Sequence, residues 1–406
     1  MTILQSYTAS PPLHFRTTCL SPPRFTGSIL PFTKQKAKYH KELEAAVDVV
    51  ERACHLCVEV KKSLFSSKGK IIEKIDQTPV TIADFGVQAL VSLELGKLFP
   101  SIPLVAEEDS AFLRSNNLAN SVLDVVADKA KFSSKPLTEA DVLEAIDRGG
   151  KDASVFESSP ATYWVLDPID GTKGFLKGSE ALYVVGLSLV VEGDVVLGVM
   201  GCPNWQEEDS NKLTIESQEY KDIISRLGVV MVSHVGCGTW KKRLNDTSSN
   251  TTDMADSWIR CFVDKYSVIN ESRFCISDSQ LWESLPLSNS FDATTDMKNI
   301  SANEVLILPL CCGSLCKYLM VASGRASVFI LRSRVERIIK VWDHAVGIIC
   351  VQEAGGMVTD WEGRKIDLAA DQDDRRALFP SGGVLVTNRS VHDQILGLIS
   401  SSKSVA

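Results

Sequence analysis

Residues 164–172 read Trp164-Val165-Leu166-Asp167-Pro168-Ile169-Asp170-Gly171-Thr172. An apolar strand over 162–166 runs into a carboxylate. Pro168 has no N–H, so the strand is expected to stop there. A second carboxylate follows three residues after the first, and Gly171-Thr172 opens a helix pattern. Two carboxylates on a rigid turn suit a hard divalent cation, which takes oxygen ligands, and a carbonyl such as that of Ile169 would add a third. Backbone N–H groups at the following helix start suit a phosphate. Taken alone, the stretch also fits an ordinary Asp-Pro turn with Asp as a cap.

Acids elsewhere in the chain favour the metal reading. Glu107-Glu108-Asp109 follows a short apolar run over 102–106. Asp343 follows Val341-Trp342 and precedes a helical pattern closed by Gly355-Gly356, where an Asp also serves as a helix cap. Asp84 sits in Thr78-Pro79-Val80-Thr81-Ile82-Ala83-Asp84-Phe85, on an otherwise apolar helix, where an unpaired buried acid is costly. With six His and no Ser-His-Asp pattern, this supply of acids points to metal-assisted hydrolysis rather than a side-chain nucleophile.

The chain of 406 residues is 44% hydrophobic and 23% charged, the balance of a globular protein that needs no staple to fold. Its net charge of -8 argues against a nucleic-acid polymer or an anionic membrane as partner, since both require a basic surface. A small anion remains compatible, because a bound cation supplies positive charge locally. No apolar run approaches the ~18 residues of a membrane span.

Residues 1–38 carry no Asp or Glu, several Arg and Lys, and many Ser, Thr and Pro. That is the composition of an organellar transit peptide, with mitochondrion and chloroplast not separated. Periodicity predicts helices over about 38–66 and 81–98, the second with Ala83, Val87, Leu90, Val91, Leu95 and Leu98 as its apolar face. Residues 111–160 read as a helical excursion with a loop near Lys131–Lys135. Glu192-Gly193-Asp194 between two apolar runs marks a hairpin. The expected domains are 39–205, an α+β unit with a mostly antiparallel sheet, and 206–406, an α/β unit with a smaller mixed sheet, the site lying between them. Eleven irregularly spaced cysteines fit buried thiols, including Cys54 and Cys57 on one helical stripe and Cys311, Cys312 and Cys316.

Together, Asp167-Pro168-Ile169-Asp170-Gly171-Thr172, Trp342-Asp343-His344-Ala345-Val346-Gly347 and Glu353-Ala354-Gly355-Gly356 resemble the lithium-sensitive, magnesium-dependent phosphomonoesterases of the inositol monophosphatase superfamily. Thr78-Pro79-Val80-Thr81 with Asp84 is most similar to the 3′(2′),5′-bisphosphate nucleotidase branch, which removes the 3′-phosphate of adenosine 3′,5′-bisphosphate. The resemblance implies a sugar-phosphatase fold of alternating helix and sheet layers. It implies that Glu107, Asp167, the Ile169 carbonyl, Asp170 and Asp343 hold Mg²⁺, with Glu108 in support. It makes Thr172 and Asp84 the pair that orients and deprotonates the attacking water. Substrate contacts implied are Gly171, Thr172, His234, Ser314, Lys317 and Arg332. The match is imperfect, since Gly313 stands where an Asp is expected before Ser314, and Val232 where an Arg is expected before Ser233-His234. Rival readings are an inositol polyphosphate 1-phosphatase or inositol monophosphatase, and a catalytically silent nucleotide-binding scaffold.

Overall fold

The computed structural model describes residues 30–66, 72–73, 79–130, 136–150, 162–177, 181–206, 228–244, 257–277, 280–296, 300–308, 310–311, 313–334 and 338–403. The expected loop at Lys131–Lys135, Thr78, Cys312 and most of the expected leader lie outside them.

Two long helices come first, α1 (His40–Ser66) and, after the small pair β1 (Ile72–Glu73) and β2 (Pro79–Val80), α2 (Ile82–Leu98). β3 (Leu104–Ala106) leads into α3 (Ala111–Asn116), α4 (Ala119–Ala127) and α5 (Glu139–Gly149). β4 (Tyr163–Asp170) is followed by α6 (Thr172–Leu176), β5 (Val184–Val191), β6 (Asp194–Cys202), β7 (Val229–His234), β8 (Gly238–Arg243) and β9 (Ile259–Arg260). These strands form one seven-stranded sheet in the order β3-β4-β5-β6-β7-β8-β9, antiparallel except for the β3–β4 pair.

The second sheet is mixed and six-stranded. It contains β10 (Arg273–Ile276), β11 (Asp292–Thr294), β12 (Glu304–Ile307), β13 (Val328–Arg332), β15 (Met357–Asp360) and β17 (Gly383–Thr387) in the order β11-β12-β10-β13-β17-β15. A separate ladder joins β14 (Ile339–Lys340) to β16 (Ala377–Leu378). Helices α7 (Leu315–Ala322), α8 (Ala345–Glu353) and α9 (His392–Lys403) complete the order.

The period of two in β4 assigns its side chains to two cores. Trp164 and Leu166 pack with α1 and α2, while Tyr163 and Val165 pack with α7 and α8. The sheet is therefore covered on both faces, which is why its strands read as continuous apolar runs rather than as alternating ones. Helices α7 and α8 lie between the two sheets and are buried almost all round. On the outer face of the second sheet, Ile395 and Ile399 of α9 pack with Phe274, Val328, Ile330 and Leu385. The result is helix, sheet, helix, sheet, helix.

Three expectations change. β4 does not stop at Pro168 but continues to Asp170, with a register shift between Asp167 and Asp170. Proline fits inside the strand because the irregular stretch has no regular ladder bond for its missing N–H to break. Leu98 is 45% exposed, not part of the buried face of α2. The boundary set at 205/206 falls between hydrogen-bonded neighbours, since β6 and β7 pair from Leu197↔His234 to Cys202↔Val229. The two sheets divide the chain between Arg260 and Arg273 instead.

Residues 30–38, expected within the leader, are folded. Leu30 (0% exposed), Phe32 (5%) and Ala37 (2%) belong to the same core as α1. The Cys237 thiol donates to the Lys36 carbonyl at 3.5 Å, and the Tyr39 N–H donates to His234 Nε2 at 3.2 Å. Each large apolar side chain buried here is worth about 2 kcal/mol before ordering costs. A chain beginning at Tyr39 should therefore melt below one beginning at Leu30, by on the order of 5 °C. Equal calorimetric midpoints would show that this segment contributes nothing.

Candidate metal centre

The first sheet delivers two acids to one level. β3 and β4 run parallel with Ala106 opposite Leu166, so Glu107 and Asp167 both follow the same rung. Asp170 ends β4 beyond the register shift. Asp343 arrives from far along the chain, between β14 and α8. Oxygens of Asp167, Asp170 and Asp343 lie within 4.8 Å of one another.

Asp167 and Asp170 stand in a low-dielectric setting. Asp167 is 1% exposed, and its Oδ1 has no hydrogen-bond partner among the described residues. Burial first, then the charges of Glu107, Asp170, Asp343 and Asp84, push its carboxyl well above the usual range. Asp170 is raised to about 6, chiefly by burial, with the Ser314 and Leu315 N–H groups and Lys317 working against that rise. A cluster of carboxylates with an orphaned oxygen and an all-oxygen donor set fits a hard divalent cation.

Asp170 also has a structural task. Its Oδ1 accepts the Ser314 N–H at 2.9 Å and its Oδ2 the Leu315 N–H at 2.6 Å, which binds the start of α7 to the end of β4. Gly313 makes the approach possible. It has φ +70°, and a Cβ there would lie 2.3 Å from Asp170 Oδ2. The resemblance leads one to expect an Asp at this position, but it would drive a further carboxylate onto Asp170. Lys317, an expected substrate contact, is 1% exposed. Its Nζ donates to the Gly313 carbonyl at 2.5 Å, behind the Asp170 clamp.

Thr172 and Asp84, the pair expected to orient a water, stand within hydrogen-bond reach of each other. Gly171, at φ +90°, turns the chain from β4 into α6. The Thr172 hydroxyl then lies 3.2 Å from Asp84 Oδ1 and 3.1 Å from the Ile169 carbonyl. Asp84 is buried at the start of α2, where its Oδ2 accepts the Thr81 N–H (2.8 Å) and hydroxyl (2.6 Å) in a capping box. One carboxyl thus both caps a helix and faces Thr172.

Asp343 does not cap α8. His344 occupies that position without a side-chain cap bond. Its Nδ1 lies 2.8 Å from the Tyr318 hydroxyl, and burial alone pushes the imidazole down to about 3, so it is neutral. This buried Tyr318–His344 pair beside Asp343 carries no spacing signal in the sequence.

Two expected substrate contacts have other partners in the structure. His234 is level with Trp164 across β5 and β6, whereas Asp167 is level with Gly186. It stands three strands from β4, roughly 14 Å at the usual spacing. Its ring is used by the Tyr39 N–H and the Val235 carbonyl and packs beside Phe32 and Tyr39. Val232, the mismatched neighbour, is a core residue where an Arg would be buried. Arg332 is exposed at the end of β13, and its Nη1 donates to the Ser284 carbonyl at 2.5 Å. Cys311, expected in the core, is half-buried, with the Lys177 ammonium 3.4 Å from its sulfur.

A model described as Inositol monophosphatase family matches residues 39–404. The chain is 65% identical over 373 residues to a protein of Arabidopsis thaliana named "Putative 3'(2'),5'-bisphosphate nucleotidase, mitochondrial", covering 92% of this chain and 90% of that one. It is 33% identical over 373 residues to "3',5'-bisphosphate nucleotidase 2" of the same plant, covering 90% and 97%. Among solved structures, extragenic suppressor protein suhB from Bartonella henselae shares the fold at TM-score 0.53 and 18% identity, covering 88% of this chain and 98% of that one.

Proposed function

Because the chain belongs to the inositol monophosphatase family, we propose that it is a Mg²⁺-dependent phosphomonoesterase that removes the 3′-phosphate of adenosine 3′,5′-bisphosphate to give AMP. The observation that carries this reading is the Thr172–Asp84 pair standing next to a cage of three acids drawn from distant parts of the chain. The names of the two plant relatives favour the nucleotide over an inositol phosphate, and the first of them favours the mitochondrion.

Asp167, Asp170 and Asp343 hold Mg²⁺ together with Glu107 and the Ile169 carbonyl, and Glu108 supports the turn. Bound there, Mg²⁺ supplies the positive charge that phosphoryl and leaving oxygens require. Thr172 Oγ has one proton and donates it to Asp84 Oδ1 or to the Ile169 carbonyl, leaving a lone pair for a water. When the water attacks phosphorus, its proton passes to Thr172 Oγ as the threonine proton passes to Asp84, the bond from phosphorus to the 3′-oxygen breaks, and that oxygen takes a proton from solvent. Lys317 and the α7 start keep Asp170 in place rather than touching the nucleotide. An intact acid set with a paired Thr and Asp has no use in a silent scaffold.

The test is phosphate release by a chain beginning at Leu30 from adenosine 3′,5′-bisphosphate, inositol 1,4-bisphosphate and inositol 1-phosphate, with and without Mg²⁺. Release should be fastest from the nucleotide, lost on chelation and inhibited by Li⁺. Much faster turnover of either inositol compound overturns the nucleotide assignment.

A further inference from the structure

We infer that Gln88 is a positioning residue that sets the Glu107-Glu108 turn against the acid cluster and thereby tunes the affinity for the divalent cation. This rests on the metal reading above. Gln88 is 0% exposed on α2, and its carboxamide is fully used. Nε2 donates to the Glu108 carbonyl at 2.6 Å and to the Ile146 carbonyl at 2.8 Å, while Oε1 accepts the Glu108 N–H at 2.9 Å.

Taking both the N–H and the carbonyl of one residue is what a neighbouring strand does in a ladder. Among the described residues β3 is an edge strand, with β4 on one side and no strand on the other. Where it ends, the Glu108 peptide is buried and needs partners, and the Gln88 side chain supplies them. The preceding residue is Glu107, whose charge bears on both Asp167 and Asp170. Gln88 also lies one helical turn after Asp84, on the same face of α2. A single rigid helix therefore fixes the water-orienting Asp and the acid-bearing turn at one spacing. The link through Ile146 ties α5 to the same arrangement.

The test is a thermal-shift titration with Mg²⁺, which needs no substrate and separates two quantities. The metal-free midpoint reports packing, and the dependence on Mg²⁺ concentration reports affinity. Gln88→Met keeps the volume and removes all three bonds. Its apparent Kd for Mg²⁺ should rise by about 10-fold or more, the range seen when groups behind a metal ligand are removed. In a Glu107→Gln background the same substitution should weaken Mg²⁺ binding no further, because the two act through one carboxylate. Gln88→Glu keeps an acceptor for the Glu108 N–H but sets an oxygen against two carbonyls; it should show the same loss and replaces Gln88→Met if that variant does not fold. Unchanged Mg²⁺ affinity with a lowered midpoint overturns the inference, as does a fully additive effect with Glu107→Gln. If the wild-type chain shows no Mg²⁺-dependent shift, the metal reading falls and this inference with it.

Discussion

Replacing Asp167 by Asn should make the metal-free protein more stable while nearly abolishing phosphate release. The carboxylate is buried among other acids, and its Oδ1 has no partner among the described residues, so the neutral isostere removes repulsion without sacrificing a hydrogen bond seen at that atom. A gain of about 1 kcal/mol is expected, a rise of roughly 2 °C or more in the metal-free midpoint. Loss of a charged ligand should lower kcat/KM by on the order of 10³-fold, the size of a lost metal contribution of several kcal/mol. Scanning calorimetry under chelation, paired with a phosphate-release assay, reads both. A variant that is less stable without metal, or that remains active, contradicts the charge cage.

The same cage sets a pH dependence. The Asp170 carboxyl moves from its ordinary 3.8 to about 6 on folding. Between those values the folded state holds more protons than the unfolded one, so stability falls as pH rises through the window. The chelated protein should consequently melt higher at pH 5 than at pH 7. Mg²⁺ should reduce the difference by taking the place of the protons.

Thr172→Val should lower kcat by about 10²- to 10⁴-fold, the usual contribution of a positioned proton-transfer group. The half-buried hydroxyl contacts Asp84, which is not among the three acids of the cage, and donates to the Ile169 carbonyl, whose lone pairs stay available to a cation when the hydroxyl is removed. Mg²⁺ affinity and the thermal midpoint should stay close to wild type. Asp84→Asn makes an instructive contrast. It removes the same proton acceptor but also disturbs the capping box with Thr81, so it should cost stability of about 1 kcal/mol as well. Undiminished turnover in the valine variant removes Thr172 from the mechanism.

The site residues differ in how far the sequence reveals them. Asp167 and Asp170 are legible because they stand at fixed separation on one strand end, whose apolar run announces itself. Gln88 and the Tyr318–His344 pair are invisible, since a glutamine or histidine in an apolar helix pattern does not say which backbone or hydroxyl it will meet. His234 is singled out because its neighbours match a short motif, while the ladder register, which no motif reports, sets it three strands from β4 and level with Trp164. Lys317 reads as a substrate contact, and α7, lying between two sheets, carries it inward to the Gly313 carbonyl. The leader composition runs on to Lys38, but Leu30 and Phe32 find a place in the core, a fact about volume rather than charge.

Local physics thus determined which segments become helices and strands, that the chain has acids to spare at strand ends, and that a divalent cation suits them. The order of layers, the passage of one sheet across the expected boundary and the meeting of Asp343 with Asp167 and Asp170 were decided only by tertiary structure. The reason is that periodicity reports which face of an element is buried, not against what. The partner is chosen by packing between segments more than 170 residues apart, through contacts that leave no trace in either segment alone.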